Sequence, residues 1–369
     1  MKLAIHKDQL IAGLQAVQNV VNARTTLPIL YNVLVRAEGD RVSFTGTDLD
    51  VTITSTVPAT VQTPGATTLP AKRLFSLVRE LPSGELEIEV DGKNYCAIRA
   101  GASFYRIHGL PAEDFPPLPN LTEARRIELP QEKFRALLKK TSYAISTDET
   151  RHVLNGIFLS LRDHKLTLVA TDGRRLALSD EDIDVPAGAE GECIVPTKAI
   201  NELTRLLQPG GTLEIKVGNN QIGFTLNDDK NLPVVVISKL VEGTYPNYRQ
   251  VIPAEPKQRI PLSREELLGA LRRAELMTSD KNNSVKLMFA NNTLTITANT
   301  PDVGEGREML AVKYGGEELA IAFNPIYLMD PLKALDNDEV FLELIDELSP
   351  GMLKINGPFL YVLMPMRMS

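Results

Sequence analysis

Residues 166–174 read Leu-Thr-Leu-Val-Ala-Thr-Asp-Gly-Arg, an alternating strand that runs into a small polar turn. The same cadence stands at residues 42–50 (Val-Ser-Phe-Thr-Gly-Thr-Asp-Leu-Asp) and at residues 294–302 (Leu-Thr-Ile-Thr-Ala-Asn-Thr-Pro-Asp). Asp48 and Asp172 lie 124 residues apart, Ala170 and Ala298 128. A second pattern keeps the same order and spacing: helical periodicity, a polar turn, then alternation, at residues 71–90, 197–217 and 324–344. The 369-residue chain therefore divides into three repeats of about 123 residues. Such a unit is too long for a solenoid and has the size of a small domain.

Each repeat opens alike. A short strand (residues 1–5, 126–129 and 258–262) precedes an amphipathic helix (7–21, 131–145 and 263–277). Leu10, Leu14, Val17 and Val21 recur at helical spacing in the first, and Phe134, Leu137, Leu138 and Tyr143 in the second. Ser263, three residues before Glu266, predicts a capping box for the third. Two helices against many alternating strands predict an α+β fold in which helices cover one face of antiparallel sheet. Proline-rich stretches at residues 110–119 and 245–261 mark stiff connectors. They divide the chain into domains at residues 1–120, 126–250 and 256–369.

Composition narrows the function. Apolar residues make up 43% of the chain, enough for packed cores. The N-terminal residues lack a signal-peptide apolar run, and no apolar stretch approaches the roughly 18 residues of a membrane helix. Cys96 and Cys193 fall in different repeats inside strand-like segments, so they predict two buried thiols in a reducing, cytoplasmic setting. The four histidines are scattered without metal spacing, and phosphate-loop, dinucleotide and nucleophile-elbow motifs are absent. No metal or cofactor is expected. Asp48 and Asp172, with Thr300 at the third copy, read as turn formers rather than catalytic acids.

Charge is distributed unevenly. The total is −7, but residues 131–141, 71–80 and 197–207 carry net +3, +2 and +1, leaving the remainder at −13. Cations concentrated on a few helices are either solvated faces or a nucleic-acid surface.

Six motifs then point to a family. They are residues 26–30 (TLPIL), 45–49 (TGTDL), 154–156 (LNG), 170–176 (ATDGRRL), 238–248 (SKLVEGTYPNY) and 361–367 (YVLMPMR). With them the chain resembles, over its whole length, the bacterial DNA polymerase sliding clamps, the beta subunits of DNA polymerase III. The resemblance implies a head-to-tail homodimeric ring of three similar domains per chain. Twelve helices about 9–10 Å apart would circle a hole roughly 25 Å across once helix radii are removed. It implies a non-catalytic processivity subunit that slides on double-stranded DNA without reading sequence, tethers the polymerase III catalytic subunit, and binds the clamp loader, other polymerases and repair proteins through short peptides.

The resemblance also assigns residues. Arg24, Arg73, Arg79, Lys133, Lys139, Lys140, Arg151, Lys198, Arg205 and Lys281 would face DNA. The peptide groove would comprise Leu154, Thr171, Gly173, Arg174, Arg175, Leu176, Pro246, Val251, Tyr327, Val362, Met364, Pro365, Met366 and Arg367. Its apolar and sulfur side chains would adapt to varied ligands, and its arginines would pair with acidic ones. His152-Val153 stand before the LNG motif where the family often has two aromatics. In the dimer, Arg73, Tyr105 and Ile107 would meet Leu276 and Met277 of the second copy. Asp302, Glu305 and Glu308 would pair with Lys72 and Arg73. Two other readings compete with it: a ligand-binding repeat protein, which leaves the basic helices unexplained, and a DNA-acting enzyme, for which the sequence offers no acid, base or metal cluster.

Overall fold

The computed structural model describes residues 1–21, 27–121, 125–185, 188–228 and 231–367. Among the described residues, six α-helices of ten to twelve residues, two per repeat, are set among twenty-five strands: α1 (Lys7–Val17), α2 (Ala71–Glu80), α3 (Gln131–Thr141), α4 (Thr197–Leu206), α5 (Arg264–Glu275) and α6 (Pro325–Ala334). Local chemistry sets their starts. Ser263 Oγ accepts from Glu266 N at 3.4 Å at the head of α5, as the capping pattern predicts. Asn324 Oδ1 accepts from Ile326 N at 2.9 Å, and Pro325 occupies the first turn of α6, where its missing N–H costs nothing.

The opening helices are shorter than their periodicity suggests. α1 stops at Val17, and Val20 and Val21 remain buried in the turn that follows. α3 stops at Thr141, and Ser142–Ala144 tightens into a 3₁₀ turn. Apolar spacing marks which residues face the core, and a turn can satisfy it as well as a helix.

The strand pairs with described register are antiparallel, and two of the four sheets are shared between repeats. Four strands of the first repeat and four of the second make one eight-stranded sheet, joined where Val51–Pro58 pairs with Asn231–Lys239. Four of the second and four of the third make another, joined where Arg175–Asp182 pairs with Phe359–Leu363. A five-stranded sheet in the first repeat ends on the open strand Ser103–His108. A four-stranded sheet in the third ends on Gly304–Ala311.

The contacts separate the chain into two compact units: residues 1–135, 185–190 and 195–240, and residues 136–184, 191–194 and 241–369. In the first, α1 lies across Arg41–Thr47 and Val51–Pro58 and against α2. Gly13 permits this approach: a Cβ there would come within 2.7 Å of the Phe44 ring. In the second, α5 lies across Thr293–Thr300 and Gly304–Ala311 and against α6. Cys96 and Cys193 are both buried, and burial pushes the Cys96 thiol up to about 12. The boundary segment is more regular than its prolines suggest. Pro261 sits within Gln258–Ser263, an edge strand, where one row of N–H groups has no partner to lose.

Candidate peptide groove, cationic helices and open strand edges

The Thr-Asp turn at the end of the alternating strand is built twice from the same atoms. In the first repeat Thr47 Oγ1 accepts from Leu49 N and donates to the Val51 carbonyl, each at 3.1 Å, while Asp48 Oδ1 accepts from Asp50 N and Val51 N. In the second, Thr171 Oγ1 accepts from Gly173 N at 3.1 Å and donates to the Arg175 carbonyl, while Asp172 Oδ1 accepts from Arg174 N and Arg175 N. Both aspartates are thus turn formers. Leu49 and Gly173 share the left-handed conformation, at φ 80° and 84°.

What surrounds the two turns differs. Around the first, Lys198 pairs with Asp48 and Lys239 with Asp50. Around the second, apolar side chains gather. Leu154, Leu176 and Val362 join Val169, Ile194, Tyr245, Tyr248 and Met352 in one buried cluster, with Val153 and Phe158 packed on it. Phe158 stacks on Tyr245 at 5.0 Å. Above this floor Pro246, Val251, Met364 and Met366 are exposed, as are Arg174 and Arg367, and Pro365 is half-buried. The strip 364–366 is held by Met364 N donating to the Arg174 carbonyl and Met366 N to the Ala322 carbonyl. Thus Leu154, Leu176 and Val362 share one apolar cluster, and the strip 364–366 is bonded to the turn that precedes Leu176.

Arg175 is the exception. Its side chain is only 10% exposed. Nε donates to Asp172 Oδ2 at 3.0 Å, Nη1 to Asp330, and Nη2 to the Tyr143 carbonyl at 2.7 Å. The guanidinium lies 4.3 Å over the Tyr327 ring. It therefore ties the turn to α6 and is largely buried, whereas Arg174 and Arg367 are exposed to an acidic ligand. Asp330, Tyr245 and Tyr248 escaped the sequence reading. The two tyrosines lay in a quoted motif, whereas Asp330 carries no signal beyond its place one helical turn after Tyr327.

Gly173 yields the first expected result. Gly173→Ala will cost about 1 kcal/mol, because a Cβ is strained at positive φ. The Cβ also crowds Arg151 Nη1, which can swing away. A lower urea midpoint at unchanged slope is the readout; an unchanged midpoint would mean the turn relaxes freely.

The predicted DNA-facing cations have three fates. Arg24 lies outside the described residues. Arg73, Arg79 and Lys281 are exposed, and Lys133 and Lys140 half-buried. Four more have these partners within the chain. Arg205 donates to Glu202 and to the Gln15 and Ala16 carbonyls at 3.0 and 2.7 Å, capping the carbonyl end of α1. Arg151 pairs with Asp148 and donates to the Asp172 carbonyl, which places it beside the peptide turn rather than on a basic helix. Lys198 holds Asp48, and Lys139 holds Asp336.

The predicted dimer residues divide similarly. Tyr105 and Leu276 are exposed on or beside the open strands, Arg73, Asp302, Glu305 and Lys72 are exposed, and Met277 is half-buried over Gly306. Ile107 is buried within its own sheet. Glu308 is already clamped by Arg273, at 2.8 and 2.6 Å, and this holds its carboxyl below the usual range. Val303 and Met309, exposed near the same edge, were missed.

Comparison with known proteins gives these surfaces a common origin. Residues 1–119, 128–247 and 249–367 match, in order, the N-terminal, central and C-terminal domain profiles of the DNA polymerase III beta subunit. Three successive domains of one replicative subunit define the class as a polymerase accessory protein. The chain is 36% identical to the beta sliding clamp of Chlamydia pneumoniae, over all of this chain and 99% of that one. It is 35% identical to that of Escherichia coli K12, over the whole of both. Crystal structures of the Pseudomonas aeruginosa beta subunit and of a Bartonella birtlesii sliding clamp bound to griselimycin superpose over the full length of both chains. Their TM-scores are 0.94 and 0.93, at 34% and 37% identity. The chain belongs to the DNA polymerase III beta-subunit family, the beta sliding clamps. Among the described residues no helix is long and apolar enough to cross a membrane.

Proposed function

We propose that two copies of this chain close head to tail into a ring around duplex DNA, slide without reading sequence, and tether the DNA polymerase III catalytic subunit. The subunit itself is non-catalytic. Its three domains, residues 1–120, 126–250 and 256–369, repeat one joining rule, and that rule carries the reading. Strand Val51–Pro58 of the first domain receives Asn231–Lys239 of the second, and its counterpart Arg175–Asp182 receives Phe359–Leu363 of the third. The third counterpart, Gly304–Ala311, and the remaining donor strand, Ser103–His108, are both left open. One further junction of the same kind, made with a second copy, satisfies both edges and removes two aggregation-prone strands. Basic helices then supply weak, exchangeable phosphate attraction, which a topologically held ring requires in place of affinity. The groove under Met364 and Met366 would take extended apolar peptides of the polymerase, the clamp loader and repair proteins in the cytoplasm, around the nucleoid.

The test is retention on DNA. Protein loaded on nicked circular DNA should co-elute with it in gel filtration and be lost when a restriction enzyme linearises the circle. Equal retention on both forms would indicate ordinary binding and end the ring reading.

A further inference from the structure

We infer that Asp336 occupies Lys139 in competition with DNA phosphate, and so weakens the grip of the cationic surface on the duplex. The inference rests on the DNA-encircling reading above. Asp336 lies just past the carbonyl end of α6, where a carboxylate meets the unfavourable end of the helix dipole. That helix end is already served by Arg264, which donates to the Leu332 carbonyl at 3.2 Å and the Asn337 carbonyl at 2.7 Å. Asp336 therefore does nothing for its own helix. It is 88% exposed, and both its oxygens lie 2.8 Å from Lys139 Nζ.

Lys139 belongs to α3, the most cationic helix of the chain. Its hydrogen bond is the main reason the Asp336 carboxyl sits below the usual range, with Arg264 and Lys140 adding to it. An ion pair this exposed contributes little to folding. It does change what a phosphate gains by arriving. A free lysine trades a mobile counterion for a phosphate and releases that ion; Lys139 must first release a carboxylate fixed to the protein. Contact at Lys139 then becomes an exchange between two anions of similar strength. The duplex can move on from such a contact with little loss, which suits a ring that slides.

The experiment compares wild type, Asp336→Asn, Lys139→Gln and the double variant for DNA binding over a range of salt. Asp336→Asn should bind about three- to tenfold more tightly at low salt. Its plot of log affinity against log salt should steepen by about 0.9, the contribution of one freed cation. Lys139→Gln should cancel the gain, so that the double variant matches Lys139→Gln alone. An Asp336→Asn protein with wild-type affinity and slope would overturn the inference, as would a double variant as tight as Asp336→Asn. Loss of the circle-over-linear preference in the wild type would instead overturn the encircling reading and this inference with it.

Discussion

Replacing Arg175 by alanine will destabilise the compact unit that holds it by about 3 kcal/mol and weaken peptide capture at least tenfold. The guanidinium meets Asp172 Oδ2, Asp330 and the Tyr143 carbonyl, and covers the Tyr327 ring. Removing it takes the guanidinium from two carboxylates whose side chains are only 16% and 20% exposed, leaving Asp172 its two backbone donors and Asp330 the Lys333 ammonium at 3.9 Å. Breaking a buried ion pair costs about 3–5 kcal/mol, and the residual water contact of these two places the loss at the lower end. Lysine cannot replace it, since one ammonium has no planar fork to span two carboxylates and a carbonyl at once. Arg175→Lys should therefore recover less than half of the stability. Urea unfolding and titration with a fluorescent apolar peptide would measure both effects. A protein of undiminished stability that loses only acidic peptides would make Arg175 a ligand contact after all.

This role explains how the groove is held open. The 171–175 turn and α6 approach through charged groups that bond to one another, while Leu176 and Val362 pack into the apolar cluster beside them. At the matching turn of the first repeat, Lys198 and Lys239 answer Asp48 and Asp50 directly at the surface. One turn is sealed by ion pairs and the other opens onto thioethers. The same turn geometry is thus closed by lysines in the first repeat and bordered by apolar side chains in the second.

That contrast also marks what the sequence could reveal. The turn was legible because Thr-Asp at the end of an alternating strand has a local physical meaning, and its recurrence exposed the repeat. Helix positions were legible from apolar spacing, although α1 and α3 end early because buried turn residues obey the same spacing. The shared sheets were not legible. Whether Val51–Pro58 pairs within its repeat or with a strand some 180 residues later depends on long-range register, which carries no local pattern. The fate of each cation was hidden for the same reason. Arg205 looked like any arginine on a basic helix until Gln15 and Ala16, from the far end of the unit's sequence, supplied carbonyls for it to cap. Ile107 and Glu308 read as interface residues by position, yet one is spent on its own core and the other on Arg273.

The corrected interface leaves a strong test. Leu276→Ala combined with Met277→Ala should convert the dimer into folded single copies at low micromolar concentration. Leu276 is 69% exposed at the end of α5, next to Met277, where a second copy can cover it. Met277 lies over Gly306 on the open strand, where a Cβ would come within 3.0 Å of it. Burying one such side chain contributes about 1.5–3 kcal/mol, so truncating both removes about 3 kcal/mol from a junction. A closed ring of two copies has two identical junctions, and a loss of about 6 kcal/mol raises the dissociation constant by roughly four decades. Because Met277 also packs within its own chain, Leu276→Ala alone serves as the control: it should shift the equilibrium by about half as much while leaving the thermal transition of the separated copies unchanged. Sedimentation velocity over a concentration series reads both. A double variant that sediments as a dimer at every concentration would move the junction away from the end of α5, and the open strand Gly304–Ala311 would need a different partner.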